Sequence, residues 1–549
     1  MPATPMPGAA AGAVPGNAAD PSATAEAGAP PHHARRHRPH PDVVVVGAGA
    51  AGLAAARRLV HAGLTVSVLE AAPVIGGRMA CPAVDGFRLD HTALLIDRSA
   101  GACREVEGDG DGPLELRPLA PGVLVHAGGR RYRVSHRGGR PLRPRDMALA
   151  AARAPIAAAR APLTAAARAP LSAVAGRRLP VIHRAPARLP APATAALPAT
   201  AALPGAPAAP AGAAPREPLA GARDRVRLNA ALGRLAAASP ERLRARPEQS
   251  AAAALAALGL PERTLDGLLR PLLAALLTDP GLGTSSRRAD LALHDYARHG
   301  LAVPARGLAD LPLRLAGTLP PGTVRTGVRV TSVSADGVET ERHGRIAARA
   351  VLVATDAHAA TGLLPGLHLP GFHPVTTYFH AADRSPLGGE PLLLLDADPG
   401  SPVAHTLVPS DAAPSCAPAG RALVVTTLLG IPAAQPPDAA LERAVRRRLA
   451  ALYGVTTGHW ELLTVRHTPY AVPATPPPEY FRRPVRLLGG LYVCGDHRDG
   501  ATVADALASG SRAAEAVLRD LGLPAEPPRS SAAAGGRLPG LPDATASAA

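Results

Sequence analysis

Lysine is absent from this chain. Among its 549 residues, all 59 side chains counted as lysine or arginine are arginine. Schiff-base chemistry on lysine and the lysine of a phosphate-binding loop are therefore excluded. GC-rich codon usage explains the many Arg, Ala, Gly and Pro residues, and with them the formal net charge of +16. The alternative cause is attraction to an anionic membrane or to nucleic acid. The arginines are spread thinly and lack interleaved aromatic residues, so we expect no nucleic-acid partner.

Cysteine, aromatic residues and long apolar runs are also scarce. The four cysteines lie far apart with no C-x-x-C spacing, which predicts isolated thiols rather than a zinc site or a disulfide framework. The first 40 residues lack the apolar core of a signal peptide, and no apolar run of about 20 residues indicates a spanning helix. We therefore expect a cytoplasmic protein, with peripheral membrane contact left open. His294, His299, His358 and His467 have no partner at metal-ligand spacing, and the histidine cluster at 32–37, which could bind a metal, is interpreted as part of a solvated basic tail, so no metal site is predicted.

Three stretches have the composition of chain that does not pack. They are rich in Ala, Pro and Gly, and cannot bury enough apolar surface to offset the entropy of ordering. The sequence therefore predicts a disordered tail at 1–40, a low-complexity insertion at 165–218 and a second tail at 526–549.

Between the first tail and the insertion, one βαβ unit stands out. Val43–Val46 is typical of a buried parallel strand, Leu53–His61 predicts a helix, and Thr65–Leu69 predicts a second strand. A glycine turn, Gly-Ala-Gly-Ala-Ala-Gly, joins the first strand to the helix. An acidic residue, Glu70, ends the second strand 23 positions after the first glycine. This setting is that of a dinucleotide-binding turn.

Each glycine of the turn has a physical role. The first permits the tight turn, the second lets the backbone approach a pyrophosphate, and the third lets the helix pack against the strand. The helix then offers free N–H groups and a positive dipole end to phosphate. The acid accepts hydrogen bonds from adenosine ribose hydroxyls and disfavours a 2′-phosphate, so NADP is not the expected ligand. The residues assigned to this half of the site are Gly47, Gly49, Ala50, Ala51, Gly52 and Glu70.

A second glycine pair distinguishes an FAD-binding domain from an NAD-binding domain. Gly76-Gly77-Arg78 begins six residues after the acid, so the chain can pass close to the cofactor and the arginine can pair with its diphosphate. A nicotinamide domain has no need of this segment. From Val43 to Arg78 the chain resembles the FAD-binding amine oxidase and phytoene desaturase superfamily.

The resemblance continues near the other end of the chain. Leu491–Asp496 and Ala506–Gly510 are similar to that superfamily's C-terminal flavin motif. The resemblance implies that Gly495 and Asp496 contact the ribityl or phosphate region. It also implies that a helix from about Thr502 to Leu521 points its N-terminus, at Thr502 and Val503, toward the flavin pyrimidine ring. A strand at Val324–Val333 would hold adenine through the backbone of Val330.

Within the superfamily, His497-Arg498-Asp499 brings the chain closest to bacterial and plant phytoene-desaturase-like oxidoreductases. The absent lysine agrees, because the flavin-side lysine of amine oxidases has no counterpart here. Two segments depart from the relatives, His91–Leu95 and Arg270–Ala275, and indicate an altered substrate cavity or weakened activity. His91 and His497 should lie near the cofactor. Trp460 and Tyr470 line the substrate cavity or pack in the core.

The fold implied is α/β, a GR-type Rossmann FAD-binding domain with an inserted α+β substrate domain. The FAD-binding domain is discontinuous and would comprise residues 41–95, 300–365 and 461–525. The substrate domain would comprise 96–299 and 366–460. Helices are expected at 252–277, with breaks near Pro261 and Pro271, and at 439–453.

The function implied is FAD-dependent hydride transfer to flavin N5. The expected donor is a small hydrophobic, isoprenoid- or carotenoid-like substrate, and the electron acceptor is oxygen or a quinone. An amine oxidase-like enzyme without the usual lysine is one alternative. A non-redox FAD-binding isomerase or a weakly active homologue is the other. No catalytic residue is assigned.

Overall fold

The computed structural model describes residues 40–90, 96–97, 114–134, 221–479 and 482–524. The tail expected at 1–40, apart from its last residue, lies outside these ranges. So do the insertion expected at 165–218, the tail expected at 526–549, and the departing segment His91–Leu95 with its candidate residue His91.

Helices and strands are numbered along the described chain. The strands are β1 Val43–Val46, β2 Val66–Leu69, β3 Ala83–Val84, β4 Phe87–Arg88, β5 Ile96–Asp97, β6 Leu116–Pro118, β7 Val123–Ala127, β8 Arg130–Val134, β9 Leu301–Pro304, β10 Val324–Arg325, β11 Val330–Ser334, β12 Gly337–Thr340, β13 Gly344–Ala347, β14 Ala350–Val353, β15 Phe372–Ala382, β16 Leu394–Asp396, β17 His405–Leu407, β18 Ala422–Leu429, β19 Glu461–Pro473, β20 Arg486–Leu488 and β21 Leu491–Val493. The α-helices are α1 Ala50–His61, α2 Ala222–Ala237, α3 Pro240–Arg244, α4 Ala251–Ala256, α5 Glu262–Thr264, α6 Arg270–Leu277, α7 Ser286–His299, α8 Asp310–Gly317, α9 Ala357–Leu363, α10 Pro409–Ala412, α11 Ala439–Tyr453, α12 Asp496–Asp499 and α13 Val503–Asp520.

A six-stranded sheet carries the candidate site. Its strand order is β10-β2-β1-β14-β21-β20, with every neighbouring pair parallel except the last. All four valines of β1 are buried, as expected for a central strand covered on both faces. The strands come from three separated stretches of chain, which confirms the discontinuous Rossmann arrangement expected from the sequence.

The first and last helices of this unit pack against each other. A Cβ built on Gly52 of α1 would lie 2.1 Å from the carbonyl oxygen of Gly47, and one on Gly510 of α13 would lie 2.1 Å from that of Ala51. A side chain fits at neither position without moving the backbone. These two glycines therefore set how closely α1 approaches the turn before it and α13.

A seven-stranded sheet forms the second layer, in the order β19-β15-β18-β17-β16-β7-β8. One face packs on the helices between residues 222 and 299 through a cluster that includes Phe379, Leu395 and Val425. The other face packs on α11 through a cluster that includes Tyr378 and Trp460. Burial of both faces explains why the central strand β18 is mostly apolar on both sides.

Most of the predicted elements are confirmed within one or a few residues. The helix after the glycine turn begins at Ala50, earlier than the expected Leu53, because Gly49 already acts as its N-cap. The amphipathic helix at Ala439–Tyr453 has the predicted bounds. The strand Glu461–Pro473 pairs with β15 in the seven-stranded sheet, although 461–525 was expected to belong to the FAD-binding domain. The domain boundaries drawn along the sequence otherwise stay predictions.

The single strand expected at Val324–Val333 is wrong. The chain leaves β10 after Arg325, turns at Gly327 with φ of 70°, and enters β11 in a separate three-stranded sheet. The alternation of apolar and polar residues continues through this bend, so the sequence pattern did not show it. The bend forms because glycine tolerates a positive φ. Val330 consequently begins a new strand.

The expected break near Pro271 is also wrong. A π-helical turn at Leu265–Leu269 runs directly into α6, with the N–H of Arg270 bonded to the carbonyl oxygen of Leu265. Pro271 therefore lies within a continuous helical segment, directly after the π-helical turn, and the lack of its N–H does not interrupt the segment. The break expected near Pro261 is confirmed, between α4 and α5.

The cysteine prediction is confirmed where the structure describes the residues. Cys81, Cys416 and Cys494 are free thiols, and Cys103 lies outside the described residues. Burial raises the pKa of Cys416 and of Cys494 to about 12, so both are inert thiols at neutral pH. In the described part of the chain, no helix has both the length and the apolar character to cross a membrane.

Candidate functional site

One cavity of about 560 Å³ opens at the edge of the six-stranded sheet where its parallel strands end. Ligands of open α/β sheets bind at that edge. Thirteen of the fourteen residues predicted to bind the cofactor line this cavity. They are Gly47, Gly49, Ala50, Ala51, Glu70, Gly76, Gly77, Arg78, Val330, Gly495, Asp496, Thr502 and Val503. Gly52 is the exception, because it packs beneath the turn.

The glycine turn has the shape of a phosphate cradle. Gly47 adopts φ of 106°, and a Cβ on it would lie 2.9 Å from the carbonyl oxygen of Ala354 in the neighbouring strand's extension. Gly49, by contrast, has φ of −79° and nothing within 4 Å of a built Cβ. The space over Gly49 is open cavity in front of the α1 N-terminus, whose N–H groups face an incoming anion. A pyrophosphate fits there.

Glu70 stabilises the turn. One of its carboxylate oxygens accepts the N–H of Ala48 at 2.8 Å, and the other accepts the N–H of Ala72 at 2.9 Å. Each oxygen keeps one lone pair for a further donor. The acid therefore holds the turn in shape and can still accept a ribose hydroxyl.

Gly76 and Gly77 bring the chain back over the cradle. The N–H of Gly76 donates to the carbonyl oxygen of Ala48 at 2.9 Å, and a Cβ on Gly77 would lie 3.8 Å from the Cα of Gly49. The two glycine segments are therefore adjacent along one side of the cavity. A side chain at Gly77 would narrow the space over Gly49.

Arg78 connects the second glycine segment to the C-terminal motif. Its guanidinium forms an ion pair with Asp496 at 2.7 Å and donates to the carbonyl oxygen of Ala471 at 2.6 Å. Burial works against the charged carboxylate, but Arg78 and His497 outweigh it and hold the pKa of Asp496 well below its usual range. About a third of the Arg78 side chain remains exposed, 31%, so its remaining N–H groups can reach a diphosphate.

A helix N-terminus closes the site from the C-terminal motif. Thr502 caps α13: its hydroxyl accepts the N–H of Asp505, and the Asp505 carboxylate in turn accepts the N–H of Thr502. Thr502 and Val503 line the cavity, so the positive end of the α13 dipole is directed at it. Negative charge that develops on a bound group at this end is stabilised.

The opposite boundary of the cavity belongs to the seven-stranded sheet, and the sequence analysis assigned no residue to it. We call this boundary the sheet wall. It consists of Val375, His405, Thr427, Ala471 and Val472. His405 and Thr427 were missed because neither strand, His405–Leu407 or Ala422–Leu429, contains a local motif that marks a cavity wall. Only the pairing of β17 with β18 brings them together.

The other candidates lie elsewhere. His497 is buried beside Asp496, with 3.9 Å between its Nδ1 and a carboxylate oxygen. Trp460 packs in the core beneath α11. Tyr470 is 40% exposed and stacks on His358. In the structure, neither aromatic residue is among those that line the cavity.

Among the residues that the structure describes, one cluster of side chains has metal-ligand spacing. The ligand atoms of His126, Asp396 and Asp398 lie within 4.8 Å of one another. The guanidinium of Arg448 donates to Asp396 at 2.5 Å, to Asp398 at 2.6 Å and approaches His126 at 3.1 Å. Arg448 thus supplies the positive charge that a cation would, and the cluster is an ion-pair network inside the seven-stranded sheet.

Comparison with known proteins agrees with this geometry. The family model for flavin-containing amine oxidoreductases matches residues 50–518. Putrescine oxidase of Kocuria rosea is 63% identical over 49 residues, which span 9% of this chain and only 10% of that relative. An oxidoreductase from Methanosarcina mazei has a similar structure, with a TM-score of 0.58 at 16% identity over 86% of this chain and 99% of that one. Cyclohexylamine oxidase of Brevibacterium oxydans superposes with a TM-score of 0.54 at 16% identity over 88% of this chain and 100% of that one. The chain belongs to the flavin-containing amine oxidoreductase family, as an FAD-dependent oxidoreductase of α/β fold.

Proposed function

We propose that the protein oxidises an uncharged, largely hydrophobic substrate by transferring a hydride from a C–H bond to FAD. The observation that carries this proposal is the sheet wall. Its residues are apolar or neutral, and none of them is Asp, Glu, Phe, Tyr or Trp. A cationic amine is usually held by a carboxylate or by an aromatic cage. An uncharged substrate needs neither.

The chain's own residues would do three things in this reaction. The cradle at Gly49 and the Arg78–Asp496 pair hold the cofactor at a fixed position. The N-terminus of α13 stabilises negative charge at the flavin end. The sheet wall presents an uncharged surface, which excludes water from the reacting C–H bond. FAD, when bound, supplies the hydride acceptor.

Amine oxidation is the second candidate. The similarity to putrescine oxidase and to the fold of cyclohexylamine oxidase favours it. The absence of lysine counts against the usual arrangement, in which a lysine stands beside the flavin. The two candidates differ in the charge of the group that the sheet wall must accept.

Anaerobic flavin reduction tests the proposal. The FAD-loaded protein is mixed with geraniol and, separately, with geranylamine, which share one carbon skeleton, and the flavin absorbance is followed. We expect the alcohol to bleach the flavin at least about ten-fold faster than the amine, since a charged group loses hydration at a neutral wall. Faster bleaching by the amine would contradict the proposal and support amine oxidation.

The electron acceptor is part of the same proposal. We propose that oxygen or a quinone reoxidises the flavin. Mixing the reduced protein with air-saturated buffer or with a soluble quinone in separate experiments identifies which restores the oxidised spectrum within one turnover. If neither does, this part of the proposal fails and the substrate assignment is unaffected.

A further inference from the structure

A polar row crosses one face of the seven-stranded sheet. Arg466 of β19 lies opposite Thr377 of β15, Thr377 lies opposite Thr427 of β18, and Thr427 lies opposite His405 of β17. Residues directly opposite each other in antiparallel strands project from the same face. Four neighbouring strands therefore each contribute one polar side chain to a single line.

On β15, β18 and β17 the next positions along this face are apolar. Phe379, Val425 and Leu407 are opposite one another there, and all three belong to the core beneath the helices. Leu395 continues the line beyond His405 and is also buried in that core. On these strands the polar row thus interrupts an apolar face, at the place where that face meets the cavity.

Two members of the row are buried without being satisfied. His405 is 3% exposed and Thr427 is 2% exposed, and both belong to the sheet wall. Neither ring nitrogen of His405, nor the hydroxyl of Thr427, has a hydrogen-bond partner among the described residues. Buried polar groups are normally paired, so an unpaired set at a cavity calls for a partner outside the chain.

The chemistry of the pair limits what that partner can be. Burial lowers the pKa of His405 to about 4, so the imidazole is neutral at pH 7 and offers one N–H donor and one acceptor. Thr427 adds a hydroxyl that both donates and accepts. Neither group carries charge to balance an ammonium. A neutral oxygen atom matches the pair.

We propose that His405 and Thr427 recognise an uncharged oxygen, hydroxyl or carbonyl, on the substrate. This inference rests on the proposed function and narrows it: the substrate is a hydrophobic molecule with one oxygen function rather than a pure hydrocarbon. A hydrocarbon would leave three buried polar atoms unpaired in the complex, and a site of this kind discriminates against the ligand that lacks the polar group.

Binding of four probes with one carbon skeleton tests the proposal. Geraniol, geranial, geranylamine and the hydrocarbon without the terminal group are each mixed anaerobically with the FAD-loaded protein at a series of concentrations, and the rapid shift in the flavin spectrum that precedes any bleaching gives each affinity. We expect geraniol or geranial to bind about ten-fold more tightly than the hydrocarbon, as expected for one or two hydrogen bonds. Thr427→Val and His405→Leu should each remove most of that preference while the affinity for the hydrocarbon stays unchanged.

Thr426→Val is the matched control. Thr426 is the next residue of β18, projects from the other face of the sheet, and contacts the hydroxyl of Thr406 at 3.1 Å there. The same loss of a hydroxyl at that position should leave all four affinities as in the unsubstituted protein. If Thr426→Val also abolishes the preference for the oxygen-bearing probes, the substitutions disturb the sheet in general. That result would overturn the assignment.

Thermal stability separates recognition from a structural role. Because the polar atoms of His405 and Thr427 have no partner within the described chain, replacing them by apolar groups of similar shape should not lower the melting temperature of the protein without probe. A fall in melting temperature that parallels the loss of binding would show that the two side chains support the sheet, and the proposal would fail.

The outcomes distinguish this inference from the proposed function. If the neutral probes bind and reduce the flavin with no preference for oxygen, the inference is wrong and the proposed function stands. If geranylamine binds best and the two substitutions do not matter, both are wrong. If none of the four probes perturbs the flavin spectrum, that result also contradicts both.

Discussion

Replacing Gly49 by valine should give a folded protein that retains no FAD. The backbone of Gly49, at φ of −79° and ψ of 178°, is extended and open to any residue. A built Cβ has no heavy atom within 4 Å, so the new side chain meets no protein atom at its root. Loss of glycine at a helix N-cap costs about 1 kcal/mol of stability. The fold should survive that cost.

The loss of affinity follows from what the side chain would cover. Valine at Gly49 fills the open space in front of the α1 N-terminus, where a pyrophosphate accepts main-chain N–H groups. A hydrogen bond to a charged group contributes about 1.5–3 kcal/mol, so the loss of two weakens binding by about 3–6 kcal/mol. That corresponds to roughly a hundred-fold to ten-thousand-fold rise in Kd.

The assay is the flavin content of the purified protein, read from its absorbance, together with its melting temperature. Gly458→Val is the control, since Gly458 lies in an exposed turn and a Cβ there also has nothing within 4 Å. We expect the control to be yellow and the Gly49 variant to be colourless, with similar melting temperatures once FAD is removed from both. A yellow Gly49 variant with normal flavin content would refute the assignment of the cradle.

Three further predictions concern stability, and chemical denaturation measures each. Gly510→Ala should destabilise the protein by several kcal/mol, because the added Cβ would lie 2.1 Å from the carbonyl oxygen of Ala51; an unchanged unfolding midpoint would contradict the close packing of the two helices. Arg448→Met should cost about 3–5 kcal/mol, since the substitution leaves the buried carboxylate of Asp396 and the partly buried carboxylate of Asp398 without a cation; a cost below about 1 kcal/mol would show that the network is not stabilising. Burial lowers the pKa of both His380 and His405 from 6.5 to about 4, so the unfolded chain takes up protons first and stability should fall below pH 6.5, by about 2 kcal/mol per histidine at pH 5. His405→Leu should halve that pH dependence, and a stability independent of pH in this range would contradict the buried neutral rings.

The cofactor half of the site could be predicted from the sequence because its signals are local. In Val43–Val46 and the turn after it, the same short stretch of residues determines the backbone conformation and lines the cavity. A local pattern that predicts the turn therefore also predicts this part of the site. The capping of α13 by Thr502 is local in the same sense. A short-range pattern also sufficed for α11, where apolar spacing and the cap at Asp438 give both ends of the helix.

The sheet wall could not be predicted, because it depends on register between strands. His405 and Thr427 become neighbours only through the pairing of β17 with β18, and no local pattern in either strand encodes that alignment. Similarly, the alternation at 324–333 gave no sign that Gly327 turns the chain into another sheet. At Pro271 the helix continued because of a π-turn that begins before it, which residue preferences do not indicate.

The close contact between Gly510 and Ala51 bears on when the cofactor can bind during synthesis. The cradle at Gly49 emerges from the ribosome early, but Asp496, the partner of Arg78, and the helix after it emerge much later. Roughly 450 residues separate the two, which at about 5–20 residues per second is a delay of roughly 20–90 s. During that interval the early strands lack the neighbour β21 and the covering helix α13. We therefore expect FAD to bind late during synthesis of the chain. Loss of the last 50 or so residues of the FAD-binding domain would remove Asp496 and α13, and so the part of the site opposite the glycine turn.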